Sequence, residues 1–259
     1  MSPEPTDIHA WPPDVPRVSP SLLPDAMTGA CYEVKFLVTP EQAGGVTEYI
    51  TPHLHRDPHA GDDRGGAYRV QSLYLDTPAF DVYYRSEGYR RQKLRLRRYE
   101  EEPVLYLERK IRTGAQVRKE RTRVGMEALA RLAAGESATE WPGSWFQHCL
   151  MEQQLVPRAL IRYERSAFMG VGENGPVRVT LDQQIACVPV SEYRLDTPSR
   201  ETPLLAGQVV LELKFRVAMP TLFKCLVRDL DLTPCDVSKY RQGVEACALV
   251  PGLQEPPDA

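Results

Sequence analysis

Charged residues recur at every second position in several segments near the middle of the chain. In the segment 93–97, Lys-Leu-Arg-Leu-Arg, the basic side chains share one face of a strand and the leucines share the other, because successive strand side chains point to opposite sides. Related patterns occur at 106–110, 119–121 and 212–214. If the leucines pack under helices outside the sheet, the charged face points inward. The pattern therefore predicts a closed barrel around a polar, anionic ligand.

The positive charge is concentrated in one part of the chain. The net charge of the 259 residues is −3, but residues 85–123 contain fourteen Lys or Arg and six Asp or Glu. A basic block inside an acidic protein favours a defined anion site over general attraction to nucleic acid. We therefore expect no nucleic-acid partner.

The cysteines and the apolar segments exclude several classes of protein. The six cysteines are scattered and form no C-x-x-C pair, so neither a zinc site nor a disulfide framework is expected. No apolar stretch is long enough to cross a membrane, and no signal peptide is recognisable. The sequence thus predicts a cytoplasmic protein without membrane insertion, for which any membrane role would require a partner protein.

Composition and patterning divide the chain into three parts. Residues 1–28 hold seven prolines and predict a disordered arm, residues 29–250 predict one folded domain, and residues 251–259 predict a flexible tail. Within the domain we expect eight strands, at 31–38, 68–75, 92–99, 104–111, 116–124, 159–165, 177–185 and 209–216. Expected helices run from 40 to about 55 and from 220 to about 230. A short helix is expected from its cap and proline at 76–78 through about 84, and a longer helical segment from 126 to about 154 with a break at 141–143. The predicted fold class is α+β, a closed antiparallel eight-stranded barrel with helices packed outside.

Basic side chains that converge from several strands need an anion to neutralise them, and phosphate suits the paired donors of arginine. Taken alone, Arg95 and Arg97 also fit a solvent-exposed edge strand, but the repetition on other strands favours a shared cavity. Carboxylates occupy the same faces, at Glu33, Glu108, Asp182 and Glu212. They either compensate neighbouring cations or hold a divalent cation such as Mg²⁺ or Mn²⁺. Glu212 is the first candidate for a metal ligand.

An ordered set of short motifs resembles the VTC domain, the catalytic module of eukaryotic polyphosphate polymerase. The motifs are YEVKF at 32–36, SLYLD at 72–76, LRLR at 94–97, ERK at 108–110, RKER at 118–121, YER at 163–165, RVTLD at 178–182, ELK at 212–214 and SKY at 238–240. The resemblance implies the triphosphate tunnel fold, which CYTH phosphohydrolases share. It also implies synthesis of polyphosphate from ATP with Mn²⁺ or Mg²⁺.

The resemblance assigns roles to residues of this chain. The implied phosphate-binding residues are Lys35, Arg95, Arg97, Lys110, Lys119, Arg165, Arg178 and Lys239, with polar contacts from Tyr163 and Ser238. Lys214, beside Glu212, is expected to join them. The implied metal ligand is Glu212, with Glu33, Glu108 and Asp182 as further candidates. The residues expected to act in catalysis are Arg95, Arg97, Lys119, Arg165, Arg178 and Glu212.

One position departs from the related hydrolases. The E-x-E-x-K signature of CYTH enzymes places a glutamate where this chain has Cys31. The loss of that acid favours transfer of a phosphoryl group to phosphate over hydrolysis. Three functions remain open: a polymerase acting on ATP and polyphosphate, a phosphohydrolase acting on tripolyphosphate or nucleoside triphosphates, and a noncatalytic module that binds or senses polyphosphate. The expected partners are ATP and inorganic polyphosphate, pyrophosphate or triphosphate.

Overall fold

Eight long strands close into a barrel through backbone hydrogen bonds. In the computed structural model, which describes residues 29–57, 66–100, 102–135, 140–196 and 200–250, these strands are β1 (Cys31–Val38), β3 (Ala67–Asp76), β4 (Gln92–Tyr99), β5 (Val104–Thr113), β6 (Gln116–Gly125), β7 (Val156–Gly172), β8 (Gly175–Pro189) and β10 (Val209–Phe215). Around the barrel their order is β7-β3-β4-β5-β6-β1-β10-β8, and β8 pairs with β7 to close it. All of these pairings are antiparallel. The predicted eight-stranded barrel is confirmed.

Short elements surround the barrel. The two-residue strands β2 (His55–Arg56) and β9 (Thr202–Pro203) extend it beside β7 and β8. The helices are α1 (Pro40–Ile50), α2 (Asp81–Tyr84), α3 (Ala128–Ala134), α4 (Ser144–Glu152), α5 (Thr221–Asp229) and α6 (Lys239–Ala246), with a 3₁₀ turn at Leu205–Gly207. Within the described ranges, no helix is long and apolar enough to cross a membrane.

The hydrophobic core lies between the barrel wall and the helices. Leu94 and Leu96 of β4 are fully buried and belong to a cluster that includes Leu132 of α3 and Phe146 of α4. On another side, a second cluster joins β1 and β10 to helices α1 and α5. Each leucine side chain that is removed from water in these layers contributes about 1.5–3 kcal/mol. The barrel wall is therefore stabilised from outside, as the alternating pattern predicts.

Local signals in the sequence explain where several elements begin. Thr39 forms a capping box at the start of α1, because its hydroxyl accepts a hydrogen bond from the Gln42 backbone at 3.2 Å and the Gln42 side chain accepts one from the Thr39 backbone at 3.0 Å. Asp76, at the end of β3, accepts hydrogen bonds from the backbone of α2 and from the Tyr240 hydroxyl at 2.6 Å. This one carboxylate ties β3, α2 and α6 together.

The boundaries differ from the sequence expectations in several places. Helix α1 ends at Ile50 rather than near 55. The helical segment expected over 126–154, with a break at 141–143, is observed as α3, which begins at Ala128, and α4, which begins at Ser144 directly after the expected break and ends at Glu152. Strands β7 and β8 are longer than expected because they form one long hairpin with paired residues from 159 to 189. Helix α6 was not predicted, since its sequence is short and polar. The predicted arm at 1–28 and the tail at 251–259 lie outside the described residues.

We expect Leu96→Ala to lower the free energy of unfolding by about 2–5 kcal/mol, because it leaves a cavity in a packed layer. Urea denaturation measures this change. Val217, which is 67% exposed, provides the control, and Val217→Ala should change stability by less than about 0.5 kcal/mol. A similarly small effect of Leu96→Ala would contradict a core placed outside the barrel.

Candidate functional site

A cavity of about 770 Å³ lies inside the barrel and opens at the end where β5 turns into β6. Thirteen basic residues and three acidic residues line it. Twelve of the residues expected at the site line this cavity: Glu33, Lys35, Arg95, Arg97, Lys110, Lys119, Tyr163, Arg165, Glu212, Lys214, Ser238 and Lys239. The strands thus bring most of the expected residues into one electropositive chamber.

Glu108 neutralises three arginines in the barrel wall. One of its carboxylate oxygens accepts a hydrogen bond from Arg95 Nε at 2.7 Å, and the other accepts one from Arg121 Nε at 2.8 Å. Arg97 Nη1 lies 3.8 Å from the same carboxylate. Burial raises the pKa of Glu108, but the three guanidinium groups outweigh it and hold the pKa well below its usual range. Both oxygens are engaged, so this geometry favours charge compensation over metal binding.

Asp182 has a comparable role beside helix α6. Its carboxylate accepts two hydrogen bonds from Arg165, at 2.6 and 2.7 Å, and forms an ion pair with Lys239 Nζ at 2.7 Å. Burial raises the pKa of Asp182, but Arg165 and Lys239 lower it more, so the group remains ionised. Asp182 therefore aligns Arg165 and anchors the first residue of α6. Its oxygens, like those of Glu108, are occupied by cationic partners.

Arg95 and Arg97 are held by hydroxyl groups as well as by Glu108. Arg95 Nη1 donates to the Tyr74 hydroxyl at 2.9 Å. Arg97 Nε donates to Ser72 Oγ at 3.2 Å, and its Nη2 donates to the Tyr163 hydroxyl at 3.0 Å. These bonds fix the two guanidinium groups before any ligand arrives. Such preorganised donors stabilise charge that develops on a ligand.

The carboxylates of Glu33 and Glu212 form the part of the site that fits a divalent cation. They are diagonal neighbours on paired strands, since Glu33 lies opposite Lys214 and Lys35 lies opposite Glu212. Glu212 forms an ion pair with Lys214 Nζ at 2.9 Å. Glu33 Oε2 accepts a hydrogen bond from Lys110, whereas its buried Oε1 accepts no hydrogen bond and lies 3.8 Å from Lys214 Nζ.

Both carboxylates are ionised. Burial raises the pKa of Glu212, but Lys214, Lys35 and Lys110 hold it well below its usual range. Burial and Glu212 raise the pKa of Glu33, but the nearby lysines lower it more. In the part of the chain that the structure describes, no group of three His, Cys, Asp or Glu could hold a metal. A Mg²⁺ or Mn²⁺ ion here would therefore take its other ligands from phosphate oxygens and water.

Lys119 is the basic side chain of the cavity whose protonation an anionic ligand would change most directly. Its ammonium group makes no hydrogen bond or ion pair with any described residue. The Lys214 ammonium and burial push the pKa of Lys119 well below its usual range. A phosphate in the cavity would reverse this effect, because an adjacent negative charge favours the protonated amine.

Lys93 and Tyr74, in the inner part of the site, were not among the expected ligands. Lys93 Nζ donates to Ser238 Oγ at 2.9 Å, and burial lowers the pKa of Lys93 to about 8. Burial raises the pKa of Tyr74, but Arg95, Arg97 and Lys239 outweigh it and lower the pKa to about 7. Lys93 shares the alternating face of Arg95 and Arg97, and this pattern could have identified it. Tyr74 lies directly opposite Arg95 in the β3–β4 pairing. Its place at the site follows only from the register of the two strands, which the sequence pattern does not give.

Arg178 lies apart from the cavity lining. Its guanidinium group donates to the buried carboxylate of Asp57 at 2.5 Å and to the Tyr68 hydroxyl at 3.3 Å. This arrangement joins β8 to β3 and to the residue after β2. Phosphate binding by Arg178 therefore stays a prediction, while its contacts in the structure are those of a residue that holds the barrel together.

A family model of the VTC domain matches residues 30–248 of the chain. A search of curated proteins finds no match. The matched range contains all eight barrel strands and every residue that is expected at the site from the sequence.

Solved structures with a similar chain path are distant in sequence. A protein of Bacillus halodurans, described as a proposed adenylate cyclase, is 16% identical with a TM-score of 0.46, and the match covers 80% of this chain and 92% of that chain. A Hippeastrum protein, described as a proposed adenylyl cyclase with a dominant triphosphatase activity, is 12% identical with a TM-score of 0.46, and the coverage is 88% and 99%. A Pyrococcus horikoshii protein is 15% identical with a TM-score of 0.43, covering 83% and 98%. These likenesses say nothing about the function of this chain.

We expect the affinity of the cavity for tripolyphosphate to fall as the pH rises from 6 to 9. Tyr74, with a pKa of about 7, and Lys93, with a pKa of about 8, each lose a proton in this range. Deprotonation of Tyr74 adds a negative charge and deprotonation of Lys93 removes a positive one, so both oppose binding of an anion. For each proton that the complex must take up on binding, the affinity falls by at most roughly tenfold per pH unit. Isothermal titration calorimetry measures the affinity.

The variant Lys93→Met distinguishes the pH dependence that comes from Lys93 from the pH dependence that comes from tripolyphosphate. The ligand titrates identically in the experiments with the variant and with the unaltered protein. Its affinity should vary less with pH above 8 than that of the unaltered protein. Lys224→Met, on the exposed face of α5, is the control and should keep the full dependence. Equal slopes for all three proteins would contradict the role of Lys93.

Proposed function

This chain belongs to the VTC domain family, and on that premise we propose that it is an enzyme that builds polyphosphate from ATP inside its basic cavity and releases ADP. Membership of the family, which the sequence resemblance predicted, supports a function in polyphosphate or triphosphate chemistry. The observation that carries the proposal is the cavity itself, where thirteen basic residues face three acidic ones inside a closed barrel. A cytoplasmic location, where ATP is available, is part of the proposal.

Electrostatic positioning is sufficient for the proposed reaction. In phosphoryl transfer the γ-phosphoryl group passes through a metaphosphate-like state with charge on its outer oxygens. Arg95, Arg97 and Arg165 are already oriented by carboxylates and hydroxyls, so they can stabilise that charge without rearrangement. Lys119, which lacks a partner among the described residues, would contribute a further positive charge.

The acceptor needs no activation by a side chain. The end of a polyphosphate chain is already ionised near neutral pH, so it can attack the γ-phosphorus in line while the basic residues hold both reactants. The bond to the ADP oxygen breaks as the new phosphoanhydride bond forms, and ADP leaves with the electron pair. This chemistry requires neither a serine nor a cysteine nucleophile.

We assign the divalent cation to Glu212 and Glu33, whose carboxylates are ionised and adjacent in the β1–β10 pairing. The buried Glu33 Oε1 without a hydrogen bond partner supports this assignment. When bound, Mn²⁺ or Mg²⁺ would neutralise phosphate oxygens and stabilise a leaving oxygen. The oxygens of Glu108 and Asp182 are occupied by arginine and lysine side chains, so these two carboxylates position basic side chains rather than the metal ion.

Hydrolysis differs from polymerisation only in the acceptor, which would be water. Cys31 bears on this choice because it is buried on β1 in line with Glu33 and Lys35. Its thiol lies within electrostatic range of Glu33, Lys214 and Lys119. A thiol at this position supplies no carboxylate to orient water, which supports transfer to a phosphate chain.

We expect the protein to convert ATP into long polyphosphate in the presence of Mn²⁺, as resolved on a gel. Arg95→Ala should reduce the rate by about 10²-fold or more, because it removes a preorganised donor, and Glu212→Gln should reduce it by weakening the metal site. Arg118→Ala is the control, since Arg118 is 65% exposed on the outer side of β6, and it should leave the rate unchanged. Normal polymerisation by Arg95→Ala would contradict the mechanism. Release of orthophosphate alone would indicate a hydrolase, and unchanged ATP would indicate a binding module.

We expect Cys31→Glu to raise the ratio of orthophosphate to polyphosphate among the products. The added carboxylate would help to hold a metal ion and water beside Glu33, as the E-x-E-x-K signature implies for the CYTH hydrolases. Cys31→Ser is the control, because it changes polarity without adding a charge. The ratio is measured by phosphate release and gel analysis of the same reaction, and an unchanged ratio would show that Cys31 does not decide the acceptor.

A further inference from the structure

Four arginines line the mouth of the cavity but are exposed to solvent. Arg85, Arg90 and Arg91 lie between α2 and β4, and Arg112 lies near the end of β5. We call these four residues the arginine collar. They differ from the inner arginines, because Arg97 and Arg165 are buried and are held by carboxylates or hydroxyls. The cavity therefore has an inner, structured tier and an outer, exposed tier of positive charge.

The positive charge of the collar is largely uncompensated. Arg85 Nη2 donates to Asp236 at 2.8 Å across the mouth, and this pair is exposed, at 41% and 63%. Asp236 is the acidic residue of the outer lining, since Glu33 and Glu212 lie deeper in the barrel. Among the described residues, Arg90 and Arg91 form no ion pair or side-chain hydrogen bond. Exposed like charges without partners are well placed to meet an anion that arrives from solvent.

The backbone around the collar leaves space for a chain to pass. Gly114 and Ala115, in the turn between β5 and β6, line the mouth with small residues. Gly114 has a positive φ of 61°, and a Cβ atom added there would meet nothing within 4 Å. The mouth is therefore bounded by exposed arginine side chains and by an open turn, whose Gly114 carbonyl accepts a hydrogen bond from Arg112 Nε at 3.2 Å.

We propose that the arginine collar is a second phosphate-binding site, which holds the part of a long linear polyphosphate that extends beyond the inner cavity. This inference rests on the proposed function and adds a preference for chain length to it. Tripolyphosphate would occupy the inner tier, whereas a longer chain would occupy both tiers. Binding to the second tier would keep a growing chain attached between successive transfers.

The lining favours polyphosphate over single-stranded nucleic acid. Proteins that bind single strands combine basic grooves with aromatic side chains on which bases stack. The aromatic residues of the cavity lining are Tyr74 and Tyr163. Both are buried, and their hydroxyls accept hydrogen bonds from Arg95 and Arg97. Tyr84, which is 57% exposed and precedes Arg85, is not part of the lining. The cavity lining thus offers charge without an exposed aromatic side chain, which suits a chain made only of phosphate.

The test compares two ligands without ATP, so that turnover is not needed. Affinities for tripolyphosphate and for a long-chain polyphosphate are measured by calorimetry with the full chain and with the triple variant Arg90→Ser, Arg91→Ser, Arg112→Ser. The control is Arg118→Ser, Arg194→Ser, Arg228→Ser, which removes the same charge from exposed positions elsewhere. We expect the collar variant to lose about tenfold or more in affinity for the long chain and to bind tripolyphosphate unchanged. Its salt dependence should fall by roughly 0.7 to 0.9 in slope for each lost phosphate contact.

Other outcomes overturn the inference. An equal loss for both ligands would place the collar residues in the inner site, and no loss for either, or an equal loss in the control, would show that the collar does not bind. A single-stranded oligonucleotide could also bind as tightly as polyphosphate and lose affinity in the collar variant. That result would show that the collar is a nucleic-acid-binding site and would overturn the proposed polyphosphate site. If the collar result holds but ATP yields no polyphosphate, the proposed polymerase fails while the second binding site stands.

Discussion

The interior of the barrel depends on carboxylates that neutralise buried cations. Two like charges 4 Å apart repel by about 4 kcal/mol at an effective dielectric constant of 20, so the inner cations cannot gather without anions between them. Glu108 bridges Arg95 and Arg121, and Asp182 bridges Arg165 and Lys239. Each carboxylate thus connects side chains from different elements. Removing one would leave several buried cations uncompensated, which is far more costly than losing an exposed ion pair.

This charged interior requires a barrel wall that is stable without an inner hydrophobic core. The leucines of β4 and β5 pack outward against α3 and α4, and β1 and β10 pack against α1 and α5. The wall therefore has two different faces, each made by alternate residues of the same strands. The helices supply the burial that most small barrels obtain from inside, and the interior is left free for a ligand.

The sequence predicts the wall better than the network inside it. Alternation along β4 predicts both the outward leucines and the inward Arg95 and Arg97, because strand geometry has a period of two. The ion-pair partners of Glu108 and Asp182 cannot be read from this alternation. They depend on the register of neighbouring strands and on contacts between segments that are far apart in the chain. Arg178 shares an alternating face but pairs with Asp57, which no periodicity indicates. The collar lies mostly between α2 and β4, where no regular pattern applies, and Lys239 depends on a helix whose short polar sequence gives little signal.

Helix α6 has a consequence for how the protein matures during translation. Lys239 forms an ion pair with Asp182 inside the barrel, and the Tyr240 hydroxyl donates a hydrogen bond to Asp76. The seven-residue pairing of β1 with β10 can form only after β10 has been synthesised. The first strand is therefore synthesised roughly 180 residues before its partner, a long separation that slows folding. The emerging chain carries its concentrated positive charge on the ribosome before the last anchors exist. The anion chamber is consequently assembled only after α6 has been synthesised, when nearly the whole domain is available to enclose it.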